Sequence, residues 1–597
     1  MTAEISTDKR SLMGQPLING SHGDGDIAGY HPDLSAKIDI SSVAKEDEYK
    51  GSRRNENLWL GWNDIQLCIA DTKTKQPKYI LGGVSGQAFG GEVYGIIGAS
   101  GGGKTTLLSV LGGRIGRVES LKTKCTTSGN VQLNDTLMDC SKIRNFEYLR
   151  QSVAYVLQED ILLPNEFARE AIEVSALLRL SHKRLSKEEK LQKAAQILQA
   201  LDLAKCSETK IGGPAVRGLS GGERKRVSIG VELVTNPTVL MLDEPTSGLD
   251  SAIAYQTMLL LRKLANSGKM VIASIHQPSS EIFNTLDRVL ILARGKAVYE
   301  GKRSYLAEYL LSIGYECPRY SNIADFVLQK ISENTDYFID KWQQYIETQD
   351  EHSEASVSSI KLKMASHSSR AFDIDADQER ILQKQEIAPI CLQLSVLMKR
   401  QFRIYTRDKV TTFVRFGQAI FTAVLEGLLW WRLKPMDQIN FDTAPPHDES
   451  ESHQMFQNTN DRFGGIFFAV TFAAMNAIMT ANLTFPSQRL VFQKERLANW
   501  YYTSLWIFAK TCIDLPPTFV VVFVFSVVIK FMVNFNAAFY EIFFVLSLVA
   551  LVADSMGFCL GCVAKRPEIA TQLTPVTIIP LFLFSNFFVV NSTIPVW

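Results

Sequence analysis

The stretch Gly-Ala-Ser-Gly-Gly-Gly-Lys-Thr-Thr at residues 98–106 constrains the fold more than any other part of the sequence. Four glycines within six positions carry a high cost in backbone entropy, which is tolerated where a backbone must approach another group closely. An apolar run at 93–97 precedes the stretch, and the helical pattern Leu-Leu-Ser-Val-Leu follows it at 107–111. This order of strand, loop and helix, with the spacing G-x-x-x-x-G-K-[ST], predicts a phosphate-binding loop.

Each part of this loop suits contact with a nucleoside triphosphate. The glycines let backbone N–H groups curl around phosphate oxygens, and the helix that follows points its positive N-terminus at them. Lys104 is expected to reach the β and γ phosphates of ATP, and Thr105 to hold Mg²⁺ through its hydroxyl. The residues expected to bind ATP are Gly98, Ala99, Ser100, Gly101, Gly102, Gly103, Lys104, Thr105 and Thr106.

Polar side chains follow three further apolar runs. The run Val-Leu-Met-Leu at 239–242 predicts a buried strand that delivers Asp243 and Glu244 to one edge of a sheet. Asp243 suits the surroundings of Mg²⁺, and Glu244 suits a general base that polarises the attacking water. Gln158 and His276 end two other short runs. We expect Gln158 to contact Mg²⁺ and the water, and His276 to contact the γ-phosphate.

A second helix start of phosphate-binding type lies in the stretch Leu-Ser-Gly-Gly-Glu. Its residues are Ser220, Gly221, Gly222 and Glu223. Because the chain has one phosphate-binding loop upstream, this second start is expected to bind the nucleotide of another molecule. Arg224, Lys225 and Arg226 follow it and are read as a solvated basic face. Asp250, in Ser-Gly-Leu-Asp-Ser, is expected at the interface between two nucleotide-binding domains.

The C-terminal third of the chain is apolar enough to lie in a membrane. Five segments approach the roughly 20 residues that a spanning helix needs, at 411–433, 463–485, 506–533, 539–563 and 573–590. Lys and Arg residues precede the first segment and lie between the second and third and between the fourth and fifth, which predicts a cytosolic N-terminal half. The stretch Glu-Arg-Leu-Ala-Asn-Trp-Tyr-Tyr-Thr-Ser before the third segment suits a helix at the membrane interface.

Composition along the chain divides it into four parts. Residues 1–56 are predicted to be a flexible cytosolic tail, 57–330 an α/β domain that carries the phosphate-binding loop, 331–395 a linker with a connecting helix, and 396–597 a transmembrane domain. The predicted fold class is an α/β P-loop NTPase domain followed by an all-α transmembrane domain. The net charge of +1 gives no argument for a nucleic-acid partner. The N-terminus carries no apolar core of a signal peptide.

Five motifs together resemble the ATPase domain of ABC transporters: GASGGGKTT, LQED, RGLSGGERKR, VLMLDEPTSGLDS and SIHQPS. The order of ATPase first and membrane domain second, with SNIADF at 321–326 and RFGQAIFTAVLEGLLWWRL in the first span, resembles the G subfamily of White-type half-transporters. The resemblance implies a dimer that holds two ATP molecules, each between the phosphate-binding loop of one chain and Ser220–Glu223 of the other. It implies export of lipids or sterols, pigment precursors or xenobiotics, across the plasma membrane or an organelle membrane.

Family members have six spans, whereas the sequence predicts about five, so the sixth is expected to be missing. A natural isoform, a fragment and an incomplete gene model all remain open. A regulatory half that needs another subunit is the alternative, but because Glu244, His276 and the signature segment are all present, we expect a hydrolysis-competent site in either a homodimer or a heterodimer. The apolar C-terminal third argues against an ABC protein of DNA repair or translation.

One face of the first span carries polar side chains at helical spacing. Arg415, Gln418, Thr422 and Glu426 form this stripe, and the last three are candidates for the path of a hydrophobic substrate. A charge inside a membrane is costly and points to function, although a hydrogen bond to a neighbouring span explains Glu426 equally well. Asp554 and Asn586 are weaker candidates. The aromatic residue that stacks on adenine is left open between Trp62 and Tyr79.

Overall fold

The computed structural model describes most of the ATPase and membrane regions. The described residues are 58–70, 77–114, 125–134, 136–141, 152–213, 216–349, 388–431, 449–535, 537–564 and 567–583. The predicted N-terminal tail, most of the predicted linker and the candidate Asn586 lie outside these ranges.

Within the described ranges, ten strands form two sheets. Their bounds are β1 Trp59–Ala70, β2 Pro77–Phe89, β3 Val93–Gly98, β4 Cys125–Leu133, β5 Thr136–Asp139, β6 Val153–Val156, β7 Val239–Leu242, β8 Met270–Ile275, β9 Arg288–Ala293 and β10 Lys296–Lys302. A four-stranded antiparallel sheet has the order β2-β1-β4-β5. A six-stranded sheet has the order β10-β9-β3-β8-β7-β6, and its strands are parallel except for β10.

The central strands of the six-stranded sheet are continuous runs of mostly apolar residues. Such runs suit a parallel sheet, which is covered on both faces. Every residue of β3, β6, β7, β8 and β9 is buried. The helices of this domain are α1 Lys104–Leu111, α2 Ala168–Arg179, α3 Lys187–Ala200, α4 Gly221–Leu233, α5 Ser251–Asn266, α6 Ser280–Asn284, α7 Leu306–Ser312, α8 Ile323–Glu333 and α9 Thr335–Gln349. The predicted α/β domain is therefore confirmed.

Helix α9 lies within the stretch predicted as a linker, yet it packs on the sheet. The Trp342 ring lies 5.5 Å from that of Tyr299 on β10 and 5.3 Å from that of Tyr309 on α7. Tyr345 stacks on Trp342 with 5.6 Å between ring centroids. Aromatic pairs at these distances stabilise packing beyond the area that they bury, so α9 closes the end of the ATPase domain.

The membrane region is helical, as predicted. Its helices are α10 Ile390–Arg407, α11 Lys409–Leu429, α12 Glu449–Leu497, α13 Thr503–Val533, α14 Phe539–Val563 and α15 Pro567–Leu583. Among the described residues, four stretches are long and apolar enough to cross a membrane, namely α11, Asn460–Leu497 within α12, α13 and α14. They coincide with the first four predicted spans. The fifth predicted span begins within α15, and its last seven residues lie outside the described part of the chain.

The prediction of an interfacial helix before α13 is wrong. Helix α12 continues to Leu497, and a short turn leads into α13. In that turn Trp500 and Tyr501 are buried, and the guanidinium of Arg179, at the end of α2, lies 5.2 Å from the Trp500 ring centre. The Tyr501 hydroxyl donates to Glu495 over 2.7 Å. These contacts turn the aromatic side chains toward the ATPase domain instead of toward lipid.

Buried ion pairs join the ATPase domain to the membrane helices at this turn. Arg400 on α10 donates to both oxygens of Glu166, over 3.1 and 3.2 Å, and to Glu495 on α12 over 2.7 Å. All three side chains are at least 90 % buried. Next to them, Arg407 and Arg403 share Glu170, with the Arg407 contact at 2.8 Å. The start of α2, helix α10 and the end of α12 therefore meet through charge.

We expect Arg400→Met to lower the stability of the chain by about 3 to 5 kcal/mol, because it leaves two buried carboxylates without a counter-charge. Burial already raises the pKa of Glu166, and Arg400 opposes that shift. In the variant Glu166 is therefore more stable when protonated, so stability is lost as pH rises and regained as pH falls. Melting temperatures at neutral and mildly acidic pH measure both effects.

The matched control is Arg403→Met. Arg403 is about one third exposed and its partner Glu170 keeps Arg407. Equal melting temperatures for the two variants, or no recovery of the Arg400 variant in acid, would contradict this account of the junction.

Candidate nucleotide-binding site

The strand order brings distant parts of the sequence to one edge of the six-stranded sheet. Strands β3, β8, β7 and β6 are neighbours and parallel, so their carboxyl ends lie side by side. The glycine-rich loop follows β3, His276 follows β8, Asp243 and Glu244 follow β7, and Gln158 lies just beyond β6. In open α/β sheets this edge is where ligands bind.

The loop at 98–103 has the shape that its glycines permit. Gly101 and Gly103 have φ of 76° and 97°, and a Cβ on Gly98 would lie 2.4 Å from the carbonyl oxygen of Leu292. Lys104 starts α1, and its ammonium donates to the carbonyl oxygens of Gly98 over 2.7 Å and Ala99 over 3.1 Å. Burial lowers the pKa of Lys104. The Lys104 ammonium therefore lies across the glycine-rich loop, whose backbone N–H groups are suited to binding phosphate.

A chain of hydroxyl and carboxylate groups follows the loop. Thr105 donates from Oγ1 to Asp243 over 3.0 Å, and Ser274 on β8 donates to the same Asp243 oxygen over 2.6 Å. Asp243 is buried, whereas Thr105, which directly follows the loop and Lys104, is exposed. The pair is therefore accessible from the side of the loop. Sequence reasoning missed Ser274, whose signal is a hydroxyl inside an otherwise apolar strand.

These oxygens fit a magnesium ion. Mg²⁺ prefers oxygen ligands and is commonly bound by one or two protein groups together with water and phosphate. The Thr105 hydroxyl, the Asp243 carboxylate and the Gln158 amide supply oxygens of that kind. In the part of the chain that the structure describes, no three His, Cys, Asp or Glu side chains cluster as a metal site.

Glu244 is held from two sides. Its carboxylate accepts a hydrogen bond from the amide of Gln158 over 2.8 Å, and its backbone N–H donates to Ser274 Oγ over 2.9 Å. The φ of Glu244 is 41°, a left-handed backbone that non-glycine residues rarely adopt. Strain of this kind is concentrated at functional sites. The partly exposed carboxylate has a fixed position at the sheet edge, as a general base needs.

The two remaining residues predicted near the nucleotide are exposed. His276 lies just after β8, next to the strand that carries the loop. Asp250 precedes α5, and its side chain makes no capping hydrogen bond to that helix. Both side chains are accessible to a ligand or a second molecule.

The signature segment forms a helix start of its own. Ser220 precedes α4 and accepts from the N–H of Glu223 over 3.3 Å, while the Glu223 carboxylate accepts from the Ser220 N–H over 2.9 Å. These bonds to Ser220 lower the pKa of Glu223. A Cβ on Gly222 would lie 2.2 Å from Ile253 on α5. Among the described residues, no recorded hydrogen bond joins Ser220–Glu223 to the glycine-rich loop.

The prediction of a solvated basic face after the signature segment is wrong for Lys225. This side chain is 2 % exposed. Its ammonium donates to the backbone oxygens of Gln158 over 2.8 Å and Leu157 over 3.4 Å, and it pairs with Asp160 at 2.9 Å. Three consecutive charged residues on a helix point in three directions, so one of them can face the interior. The sequence pattern does not show which one. Lys225 thus joins the signature helix to the backbone of Gln158.

Of the two aromatic residues considered for stacking on adenine, Trp62 and Tyr79, only Tyr79 has an exposed ring. Trp62 is fully buried, with its ring at 5.5 Å and nearly perpendicular to that of Tyr94. It has no face to offer a base. Tyr79 is 60 % exposed and lies on β2.

The stripe of polar residues in the first span runs along the border of the buried face of α11. Glu426 and Arg415 are buried, Thr422 is half-buried and Gln418 is exposed. Arg415 donates to Thr518 on α13 over 2.8 Å. Both carboxylate oxygens of Glu426 are without a hydrogen-bond partner among the described residues. Asp554, on α14, is half-buried.

We expect Lys225→Met to lower kcat for ATP hydrolysis by about 10- to 100-fold with little change in KM, because Gln158 loses its anchor and small misplacements are costly in catalysis. Burial raises the pKa of Asp160, and Lys225 opposes that shift. The single variant therefore also leaves the Asp160 carboxyl largely buried without its counter-charge. The double variant Lys225→Met with Asp160→Asn replaces that carboxyl by a neutral amide and so removes this cost. Steady-state hydrolysis and melting temperatures measure the two effects separately.

Arg224→Met is the control. Arg224 is partly exposed, and its substitution removes one positive charge from the same helix, as the Lys225 substitution does. A Lys225 variant that hydrolyses ATP within about twofold of the unmodified chain would refute the anchoring role. Loss of activity in the Arg224 variant as well would trace the effect to charge alone.

Comparison with known proteins agrees with this geometry. The family described as "ABC transporter" matches residues 81–247, and the family described as "ABC-2 type transporter" matches residues 392–597. ABC transporter G family member 22 of Arabidopsis thaliana is 33 % identical over 564 residues, which are 89 % of this chain and 70 % of the relative.

Two further relatives span most of the chain. ABC transporter G family member 14 of Arabidopsis thaliana is 32 % identical and covers 87 % of this chain and 76 % of its own length. Protein white of Drosophila melanogaster is 30 % identical and covers 87 % of this chain and 72 % of its own length. With an ATPase sheet edge, four apolar spanning helices and these relatives, the chain belongs to the G family of ABC transporters.

Proposed function

We propose that this chain is one half of an ATP-driven exporter that works as a dimer. One observation carries the proposal. The chain has a complete catalytic edge with the glycine-rich loop, Asp243 and Glu244, and a separate signature helix start at Ser220 that is exposed and makes no recorded contact with that loop among the described residues. Each ATP then lies between the loop of one chain and Ser220–Glu223 of the other.

The proposed roles follow from the geometry. Lys104 and the loop N–H groups bind the phosphates, and Thr105, Asp243 and Gln158 hold Mg²⁺. Glu244 takes a proton from the attacking water while Gln158 fixes its carboxylate over 2.8 Å. His276 contacts the γ-phosphate. Asp250 contacts the second chain. Water attack on the γ-phosphate releases phosphate and ADP, and the separation of the two chains resets the cycle.

The junction at Arg400 is the proposed route from ATP to the membrane. When two ATPase domains close on ATP, α2 moves with them, and the buried pairs to Glu166 and Glu495 oblige α10 and α12 to follow. Charged groups held in low dielectric resist separation. Closure therefore changes the arrangement of the spanning helices.

The proposed cargo is a hydrophobic or amphipathic small molecule, such as a lipid or sterol, a pigment precursor or a xenobiotic. The cations before α11 and at the end of α12 support a cytosolic ATPase domain, in the plasma membrane or an organelle membrane. Whether the second chain is a copy or a related G-family half is decided by the following experiment.

We expect the single variants Glu244→Gln and Ser220→Arg each to abolish ATP hydrolysis in lipid nanodiscs while ATP binding persists. In mixed dimers purified by both tags, co-expression of the two variants should restore roughly half of the unmodified rate. Each mixed dimer carries both substitutions at one site and none at the other, so one site of two is intact. Phosphate release from doubly purified, differently tagged dimers measures the recovery.

Co-expression of Glu244→Gln with Glu308→Gln, an exposed glutamate of α7, is the matched control for tagging and expression. Because every site of that mixed dimer has an intact signature segment, it shows the rate of one working site beside one blocked site. No recovery in the first pair, with recovery in this control, would contradict sites shared between chains. No hydrolysis by the unmodified chain would point to a different partner half.

We expect Glu426→Gln to reduce the stimulation of hydrolysis by a transported substrate about fivefold or more, with the basal rate unchanged. A buried carboxylate without a partner is costly in a membrane, and a polar group of the cargo or of the second chain would relieve that cost. Glu568→Gln, at an exposed position of α15, is the control. Unchanged stimulation in the Glu426 variant would leave this residue with a packing role.

A further inference from the structure

A cation-rich cavity lies outside the nucleotide site, between α2, α3 and α10. Its volume is about 220 Å³, several times the roughly 30 Å³ that a water molecule occupies in the liquid. Six cations line it: Arg169, Lys187, Lys399, Arg400, Arg403 and Arg407. Three carboxylates also line it, those of Glu166, Glu170 and Glu173. Two carboxylates outside the lining also pair with these cations, Glu208 with Arg169 at 2.6 Å and Glu495 with Arg400 at 2.7 Å.

The carboxylates neutralise only the inner part of this wall. Glu166 is used by Arg400, and Glu170 is shared by Arg403 and Arg407. Glu173 pairs with Arg169 at 2.7 Å.

The outer part holds Lys187 and Lys399. Both are exposed, and no ion pair or hydrogen bond of either ammonium is recorded among the residues that the structure describes. The excess charge is thus concentrated at the mouth.

The cavity also lies next to the start of the first candidate spanning helix. Arg407 is two residues before the spanning helix α11. Lys399, Arg403 and Arg407 recur at four-residue intervals, which places them on one face of α10. At 1.5 Å rise per residue the three extend over about 12 Å. They therefore lie within reach of lipid headgroups.

We propose that this cavity binds the phosphate-bearing headgroup of an anionic phospholipid of the cytosolic leaflet. Clusters of Lys and Arg directly beside a spanning helix recognise such headgroups, and the cavity adds a concave, half-open volume to the charge. The headgroup phosphates contact Lys187 on α3 and Lys399 on α10. A bound lipid joins the ATPase domain to the helix that leads into the membrane. The inference goes beyond the proposed export and does not depend on it.

The test measures binding directly and needs no hydrolysis. A fluorescent short-chain phosphatidylinositol bisphosphate is titrated into the purified full-length chain in phosphatidylcholine nanodiscs, and fluorescence anisotropy reports the affinity. We expect Lys187→Gln with Lys399→Gln to weaken binding roughly thirtyfold, because each cation near a membrane surface contributes a factor of about five. These two substitutions leave the recorded ion pairs intact, so the fold is kept.

The charge-matched control replaces Lys263 on α5 and Lys302 on β10 by glutamine, since both are exposed and neither lines the cavity. Equal affinities of the cavity variant and the unmodified chain would overturn the proposal, as would an equal loss in the control. Competition by inorganic phosphate or soluble inositol trisphosphate as effective as that by the unlabelled lipid would show a site for free phosphates and overturn the lipid source.

Discussion

The buried guanidinium of Arg400 is the interaction on which the arrangement of the two halves depends. It lies between Glu166 of the ATPase domain and Glu495 of the membrane helix α12, with distances of 2.7 to 3.2 Å. Each of these groups would be costly to bury alone, and together they compensate one another only while the three segments stay in contact. The junction therefore combines these ion pairs with apolar packing, because Val396, Leu397 and Trp500 belong to the same buried cluster as residues of the ATPase domain.

On the ATPase side, a single hydroxyl organises the catalytic edge. Ser274 donates to Asp243 and accepts from the backbone N–H of Glu244, so one side chain fixes the proposed metal ligand and the proposed base. Lys225 fixes the backbone of Gln158 from the signature helix. The catalytic edge and the signature helix of one chain are thus linked through Lys225.

Much of the fold and of the site was predictable from sequence because its signals are local. The loop at 98–106, the carboxylates after 239–242 and the first four spans are each contiguous patterns of residue type. Predictions failed where burial decided. Lys225 follows Arg224 in a charged run, yet its side chain lies inside the domain. Trp500 and Tyr501 suit a membrane interface by type, yet they pack toward the ATPase domain because Arg179 and Glu495 meet them there.

The sequence by itself determined which chemical groups the chain carries, the α/β and helical classes of its two halves, and the G-type order of those halves. The tertiary structure decided which groups meet. Strand order, which no local pattern encodes, brings the ends of β3, β8, β7 and β6 to one edge. The docking of α10 between α2 and α12 likewise pairs Arg400 with residues 234 and 95 positions away. Contacts over such separations follow from the packing of whole helices and sheets, which a linear pattern does not record.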